Sequence, residues 1–72
     1  MMIEGSLTDE EYRVYTYTDG YEIRIDKPVT LFRPEGKDTH RVLDSEGLVT
    51  YIPAGWRKLQ WKPMPDKNPV AF

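Results

Sequence analysis

Few residues in this chain are of a type and spacing that start a reaction. His40 is the single histidine, and cysteine is absent. A metal centre needs several imidazole, thiolate or gathered carboxylate ligands, and His40 has only scattered acids for company. A lone imidazole at a strand end is a general base only in principle, so His40 reads as an ordinary surface or edge residue. Asp9, Glu10 and Glu11 form one acidic cluster, and Asp44 with Glu46 another. Two carboxylates work as acid and base when a cleft fixes their separation. Three consecutive acids ahead of a first strand read instead as solvated charge, and Asp44 and Glu46 as the flank and filling of a turn. Ser6 and Ser45 lack a His-and-acid arrangement and the strained nucleophile elbow. The glycines stand singly, so no phosphate-cradling loop exists. The expectation is a protein that is not an enzyme and has no cofactor or metal.

Binding chemistry is better supplied. Trp56, Arg57, Lys58, Lys62 and Met64 form the densest cluster of residue types that favour protein interfaces, where Trp, Arg and Met bury large areas around a polar handle. Between Arg57 and Lys67 four basic side chains face one acid, Asp66. In this cluster Trp61 is assigned with Leu59 to the core, and Trp56, beside a turn, to the exposed surface. A second set, Tyr15 and Tyr17 with Arg24, has the chemistry of single-stranded nucleic-acid binding, in which aromatics on an open sheet face stack bases and arginine meets phosphate. Glu22 and Asp26 fall on that same expected face and would repel phosphate.

The elements that must position these residues are strands. Tyr12-Arg13-Val14-Tyr15-Thr16-Tyr17-Thr18 and Tyr21-Glu22-Ile23-Arg24-Ile25-Asp26 flank Asp19-Gly20. Asp-Gly between β-rich runs predicts a two-residue hairpin with a type I′ turn. That register sets Val14 opposite Ile25 and Thr16 opposite Ile23, with Tyr12 and Tyr21 on the same inward face. It pairs Tyr17 with Glu22, Tyr15 with Arg24 and Arg13 with Asp26 on the outward one. His40–Asp44 and Leu48–Ile52 around Ser45-Glu46-Gly47 predict a second hairpin, a type I turn with Gly47 in the left-handed G1-bulge position. The rival there is a short helix capped by Asp38, which Gly47 would stop almost at once. The Val29–Arg33 run, bounded by Pro28 and Pro34, reads as an edge strand or one that bends at its margins. Trp56–Lys62 supplies the last strand.

The fold expected is all-β: a small five-stranded antiparallel meander, closed as a curled sheet or small barrel. Residues 1–11 read as a flexible acidic N-terminus, residues 12–62 as one small β domain, and residues 63–72 as a Pro-rich extended tail whose Val70 and Phe72 are able to return against the domain. The length, 72 residues, allows one thin core, with roughly 60% of the chain's surface buried on folding. Without cysteine, packing or a partner must hold it. The formal net charge of −2 is too mild to demand nucleic acid, although residues 1–36 carry eight acids and four bases and residues 37–72 four acids and six bases. The opening Met1-Met2-Ile3-Glu4-Gly5 has no basic or apolar run, and no stretch is long enough to span a bilayer. A soluble cytoplasmic protein is expected.

Tyr51-Ile52-Pro53-Ala54-Gly55-Trp56, with Pro63 seven residues on, resembles the C-terminal part of the small RNA-polymerase inhibitors made by some short-tailed phages. That resemblance implies a stoichiometric inhibitor docking by strand and charge contacts. It also implies an acidic amphipathic helix before the turn, where Leu48–Ile52 reads here as a strand. Asp44 through Trp61 is similar to the closing strands of Sm-like or Src-homology-type small barrels, a likeness of architecture. The function expected is therefore a non-catalytic protein-interaction module of phage-inhibitor type, through Trp56, Arg57, Lys58, Lys62 and Met64. The alternatives are a nucleic-acid binder through Tyr15, Tyr17 and Arg24, or a structural subunit that self-associates through a strand edge.

Overall fold

Alternation of β-branched and aromatic residues with polar ones runs through most of the chain, and seven strands result. The computed structural model describes residues 1–66. In it β1 is Met2–Ser6, β2 Glu10–Tyr17, β3 Glu22–Asp26, β4 Pro28–Pro34, β5 His40–Asp44, β6 Val49–Ile52 and β7 Trp56–Pro63. They form two antiparallel sheets, β1-β4-β5-β6 and β3-β2-β7. The all-β class holds; the five-stranded meander and the closed barrel do not. No helix among the described residues is long and apolar enough to cross a membrane.

One unexpected strand and one unexpected pairing account for the difference in topology. Met2–Ser6, expected to be flexible, is β1, in register with β4 from Met2 opposite Pro34 to Ser6 opposite Thr30. β4 consequently lies between β1 and β5 and is not an edge strand. Its prolines occupy its first and last positions, where a missing N–H interrupts least of the ladder. β2 then pairs with β7 as well as β3, joining the early and late chain. The expected tail begins with Pro63 inside β7 and with the Met64 N–H donated to the Asp9 carbonyl at 2.8 Å. Pro65 and Asp66 turn the chain, with Asp66 at φ 66°, and residues 67–72 of that expectation, with Val70 and Phe72, lie outside the described residues.

The first hairpin differs from expectation by one residue. Its loop is Thr18-Asp19-Gly20, closed by Gly20 N–H to the Tyr17 carbonyl at 3.0 Å and Tyr17 N–H to the Tyr21 carbonyl at 2.9 Å. Gly20 takes a positive φ of 89° while Asp19 does not, and Asp19 Oδ1 accepts from the Tyr21 N–H at 2.9 Å. This is a type I turn with a G1 bulge, not a type I′ turn. The register becomes Tyr15 opposite Ile23 and Arg13 opposite Ile25. A one-residue slip turns every side chain of a strand to the other face, so Arg13, Tyr15 and Tyr17 point inward and Tyr12, Val14 and Thr16 outward. The second hairpin has the same turn, as expected: Gly47 φ is 83°, and Asp44 Oδ1 accepts from the N–H groups of Glu46 at 2.9 Å and Leu48 at 3.1 Å. The helical rival is thereby excluded.

Between the sheets lie Leu7, Tyr15, Ile25, Leu31, Val42 and Ile52, with Tyr17, Ile23, Trp56 and Leu59 packed against them. The corner from β3 to β4 is a single residue, Lys27, at φ 50°. Its N–H is donated to the Glu11 carbonyl and its own carbonyl accepts from the Ser45 N–H, at 2.9 and 3.0 Å, so this one residue ties β2 to the β5–β6 turn.

Candidate functional site

Two bulges decide which side chains face inward. On β2 Glu11 is an extra residue between Glu10, opposite Pro63, and Tyr12, opposite Lys62. Positions three apart on a regular strand face opposite ways; the bulge brings Glu10 to the side of Arg13. On β7 Arg57 is the extra residue, since Thr16 is opposite Lys58 and Tyr17 opposite Trp56. That bulge turns Trp56 inward beside Leu59, contrary to its expected exposure.

The inward groups form a continuous polar chain. Arg13 donates from Nε to Glu10 Oε1 and from Nη2 to Glu10 Oε2, both at 2.7 Å, and from Nη1 to the Tyr15 hydroxyl at 2.8 Å. The Tyr15 oxygen lies 2.7 Å from His40 Nδ1. Arg13 only donates, so the arrangement that gives the single Tyr15 hydroxyl proton an acceptor sends it to Nδ1, with His40 neutral and its proton on Nε2. Trp56 covers the assembly, its ring centroid 5.5 Å from that of Tyr15 and 5.4 Å from that of His40. Its indole N–H is donated to the Asp38 carbonyl at 2.8 Å. Glu10, Arg13 and His40 are all buried, which corrects the readings of Glu10 as solvated charge and of His40 as a surface residue.

The electrostatics follow from that geometry. Burial, then the positive charges of Arg13 and Arg33, pull His40 down to about 4, with Asp38 opposing in part. Burial raises the Tyr15 hydroxyl above its usual range, and Arg13 offsets only some of this. Arg13, Tyr15 and His40 therefore each keep one protonation state near neutrality. Tyr15 is bonded on both sides and Arg13 is engaged along its fork. The apolar groove bounded by Tyr17, Thr18, Asp19, Tyr21, Pro53 and Gly55, of about 380 Å³, includes no member of the chain. The network positions strands.

The residues singled out for binding are dispersed. Tyr15 has no exposed surface, and Tyr17 donates its hydroxyl to the Pro53 carbonyl. Arg24 points to the opposite face of its sheet, 4.0 Å above the Tyr12 ring and 2.9 Å from Asp26 Oδ1. The three do not share an open face, so a stacking platform built from them has no geometric basis. Of the other cluster, Trp56 is half-buried and packed against the core, Met64 is half-buried, and Arg57, Lys58 and Lys62 are exposed. Lys62 sits 3.6 Å from Glu11.

A surface that the sequence reading missed lies on the outer face of β1-β4-β5-β6. Register places Glu4, Phe32, Arg41 and Tyr51 in one row across the four strands, and Ser6, Thr30, Leu43 and Val49 in the next. Met2 lies beside Pro34 at one end. Val49 is 52% exposed, Tyr51 53% and Met2 44%. Arg41 lies over Tyr51, its guanidinium 5.8 Å from the ring centroid. The outer face of the other sheet is different in kind, with Glu22, Arg24, Asp26, Lys58 and Lys62 exposed on it.

No protein-family model matches this chain, and no curated protein or solved structure matches it. The fold adds nothing to the likeness between the Tyr51–Trp56 turn and the phage polymerase inhibitors; the helix which that likeness implied before the turn is the strand β6.

Proposed function

We propose that this protein is a non-catalytic protein-interaction module whose docking surface is the outer face of the β1-β4-β5-β6 sheet. One observation carries the reading: Phe32, Leu43, Val49 and Tyr51 gather around Arg41 on a face that no described element covers. Contiguous apolar area on a small protein marks an interaction site far more than singly scattered side chains do. Tyr and Arg at its centre are the residue types that dominate interface energetics. The basic residues Arg57, Lys58 and Lys62 lie on the other sheet's side and are rim charge in this reading.

A photo-cross-linking residue substituted at Tyr51 tests the assignment in native cells, with the same residue at Gln60, on the outer face of the other sheet, as the control. Adducts from position 51 and none from position 60 support the face. Adducts from position 60 alone, or from neither position, overturn it.

A further inference from the structure

An outer sheet face ends at its edge strands, and the four edges here are not alike. β1 carries Glu4, β3 carries Glu22, Arg24 and Asp26, and β7 carries Arg57, Lys58 and Lys62. Charges on an edge, lysine above all, are how sheet proteins discourage pairing with other chains. β6, Val49–Ile52, has none, and neither has Leu48 before it, which is 64% exposed.

The backbone of β6 offers a definite set of groups. Asp44 N–H is donated to the Leu48 carbonyl at 3.0 Å, so Leu48 turns its peptide groups toward β5. Alternation along the strand turns those of Thr50 and Ile52 the same way and those of Val49 and Tyr51 outward. Among the described residues β6 pairs only with β5, leaving two N–H and two C=O groups at the edge.

We infer that β6 pairs antiparallel with β6 of a second copy about a twofold axis at Thr50. This rests on the interaction reading above and names its partner. Opposite that axis Val49 meets the partner's Tyr51 and Tyr51 meets the partner's Val49. Both carry outward peptide groups, so all four edge groups of each chain are satisfied by the same register. A register centred on Val49 leaves Tyr51 opposite the partner's Gly47, and one centred on Tyr51 sets Val49 opposite the partner's Pro53, which has no N–H to give. The Thr50 pair places two hydroxyls together, and aliphatic–aromatic and Thr–Thr pairs are among the favourable cross-strand combinations. No like charges oppose across the axis. The two outer faces become one surface, with Tyr51 and Val49 at its centre. An edge of four residues makes a small interface, and small interfaces are weak and transient.

Sedimentation equilibrium of the full chain across a wide concentration range tests the inference. The weight-average mass is expected to rise from 8.5 kDa toward twice that value. Y51E is expected to weaken association roughly tenfold or more, because it sets a carboxylate against the partner's Val49. V49K/Y51E restores it, since each new lysine meets the partner's new glutamate only in this register. Both positions are more than half exposed, and circular dichroism checks that the variants fold. Amide exchange needs no substitution: Val49 and Tyr51 amides slow as concentration rises, while Thr50 and Ile52 are slow throughout. A mass of 8.5 kDa at every concentration, or a double variant no better than Y51E, overturns the inference. Val49 and Tyr51 amides that are slow in a monomer overturn it too, because the chain's own residues then cover the edge. Adducts at position 51 to a different protein, with a monomeric mass, remove this partner and leave the interaction reading intact.

Discussion

Acidification should destabilise this protein through His40. The imidazole is held neutral by burial and by Arg13 and Arg33, with its titration displaced to about 4, whereas in the unfolded chain it titrates near 6.5. Between those two values the unfolded state binds more protons, so stability rises with pH there. The contribution is complete above about pH 6.5 and is lost as pH falls toward 4. At about 1.4 kcal/mol per pKa unit the total is roughly 3 kcal/mol, of which about 2 kcal/mol is already gone at pH 5. For a domain of this size, whose whole stability is on the order of 4–11 kcal/mol, that is a large share. The structural reason is specific. A protonated Nδ1 would face the Tyr15 hydroxyl, whose oxygen already accepts from Arg13 and whose own proton would be left without an acceptor. Urea unfolding of the native chain and of H40N, from pH 7 to pH 4.5, measures the effect. Asn retains an acceptor near the Nδ1 position and does not titrate. The stability difference between the two is expected to shift against the native chain by about 2–3 kcal/mol over that range. Parallel curves would refute the reasoning, as would an NMR titration of the single histidine with a midpoint near 6.5.

Two further outcomes test the interior and the turns. E10Q leaves the Arg13 guanidinium buried without its counter-charge and should cost about 3–5 kcal/mol in urea unfolding, while E10L/R13M, which removes both charges, should cost distinctly less. G47A meets no atom within 4 Å of the added Cβ, so its cost should be the backbone penalty alone, about 1–2 kcal/mol by thermal or urea unfolding, with the fold unchanged.

The two hairpins show where sequence reasoning succeeded and where it did not. Ser45-Glu46-Gly47 and Thr18-Asp19-Gly20 share one pattern, hydroxyl, acid, glycine, and both adopt the same turn. The second was read correctly because its neighbours left three residues between the strands. The first was read as a two-residue loop because Asp-Gly is so strong a type I′ signal that Thr18 was absorbed into the strand. The pattern shared with the second loop was the available correction. Side-chain size was another: inward Tyr15 and Tyr17 bury far more apolar area than inward Val14 and Thr16, provided both hydroxyls find partners, and both do. The bulges at Glu11 and Arg57 were not legible, because each exists only through the pairing of β2 with β7, strands about forty residues apart in sequence. Glu10 and Trp56 were misplaced for that reason, and Arg13 through the slip of the first hairpin. The outer apolar face was hidden by the same kind of non-locality: Phe32, Leu43 and Tyr51 become neighbours only when β4, β5 and β6 align.

How the sheets are held together bears on what the outer face is for. Three aromatic side chains reach across the interior or its rim to make polar contacts: Tyr15 from β2 to His40 on β5, Trp56 from β7 to the Asp38 carbonyl before β5, and Tyr17 from β2 to the Pro53 carbonyl after β6. Each buries a ring and satisfies its polar tip, so a small core gains both area and orientation from one residue type. Among the described residues the apolar core between the sheets is Leu7, Tyr15, Ile25, Leu31, Val42 and Ile52, with four half-buried side chains against it. Val49 and Tyr51 belong to none of this, and they stand exposed on the one edge strand, among the described residues, without a charge. Folding alone would be served as well by Thr or Lys at both positions, residues that also protect an edge. In the pairing inferred above their apolar character is accounted for by what they meet in another chain, and Y51E, which weakens that meeting while leaving the interior untouched, separates the two roles.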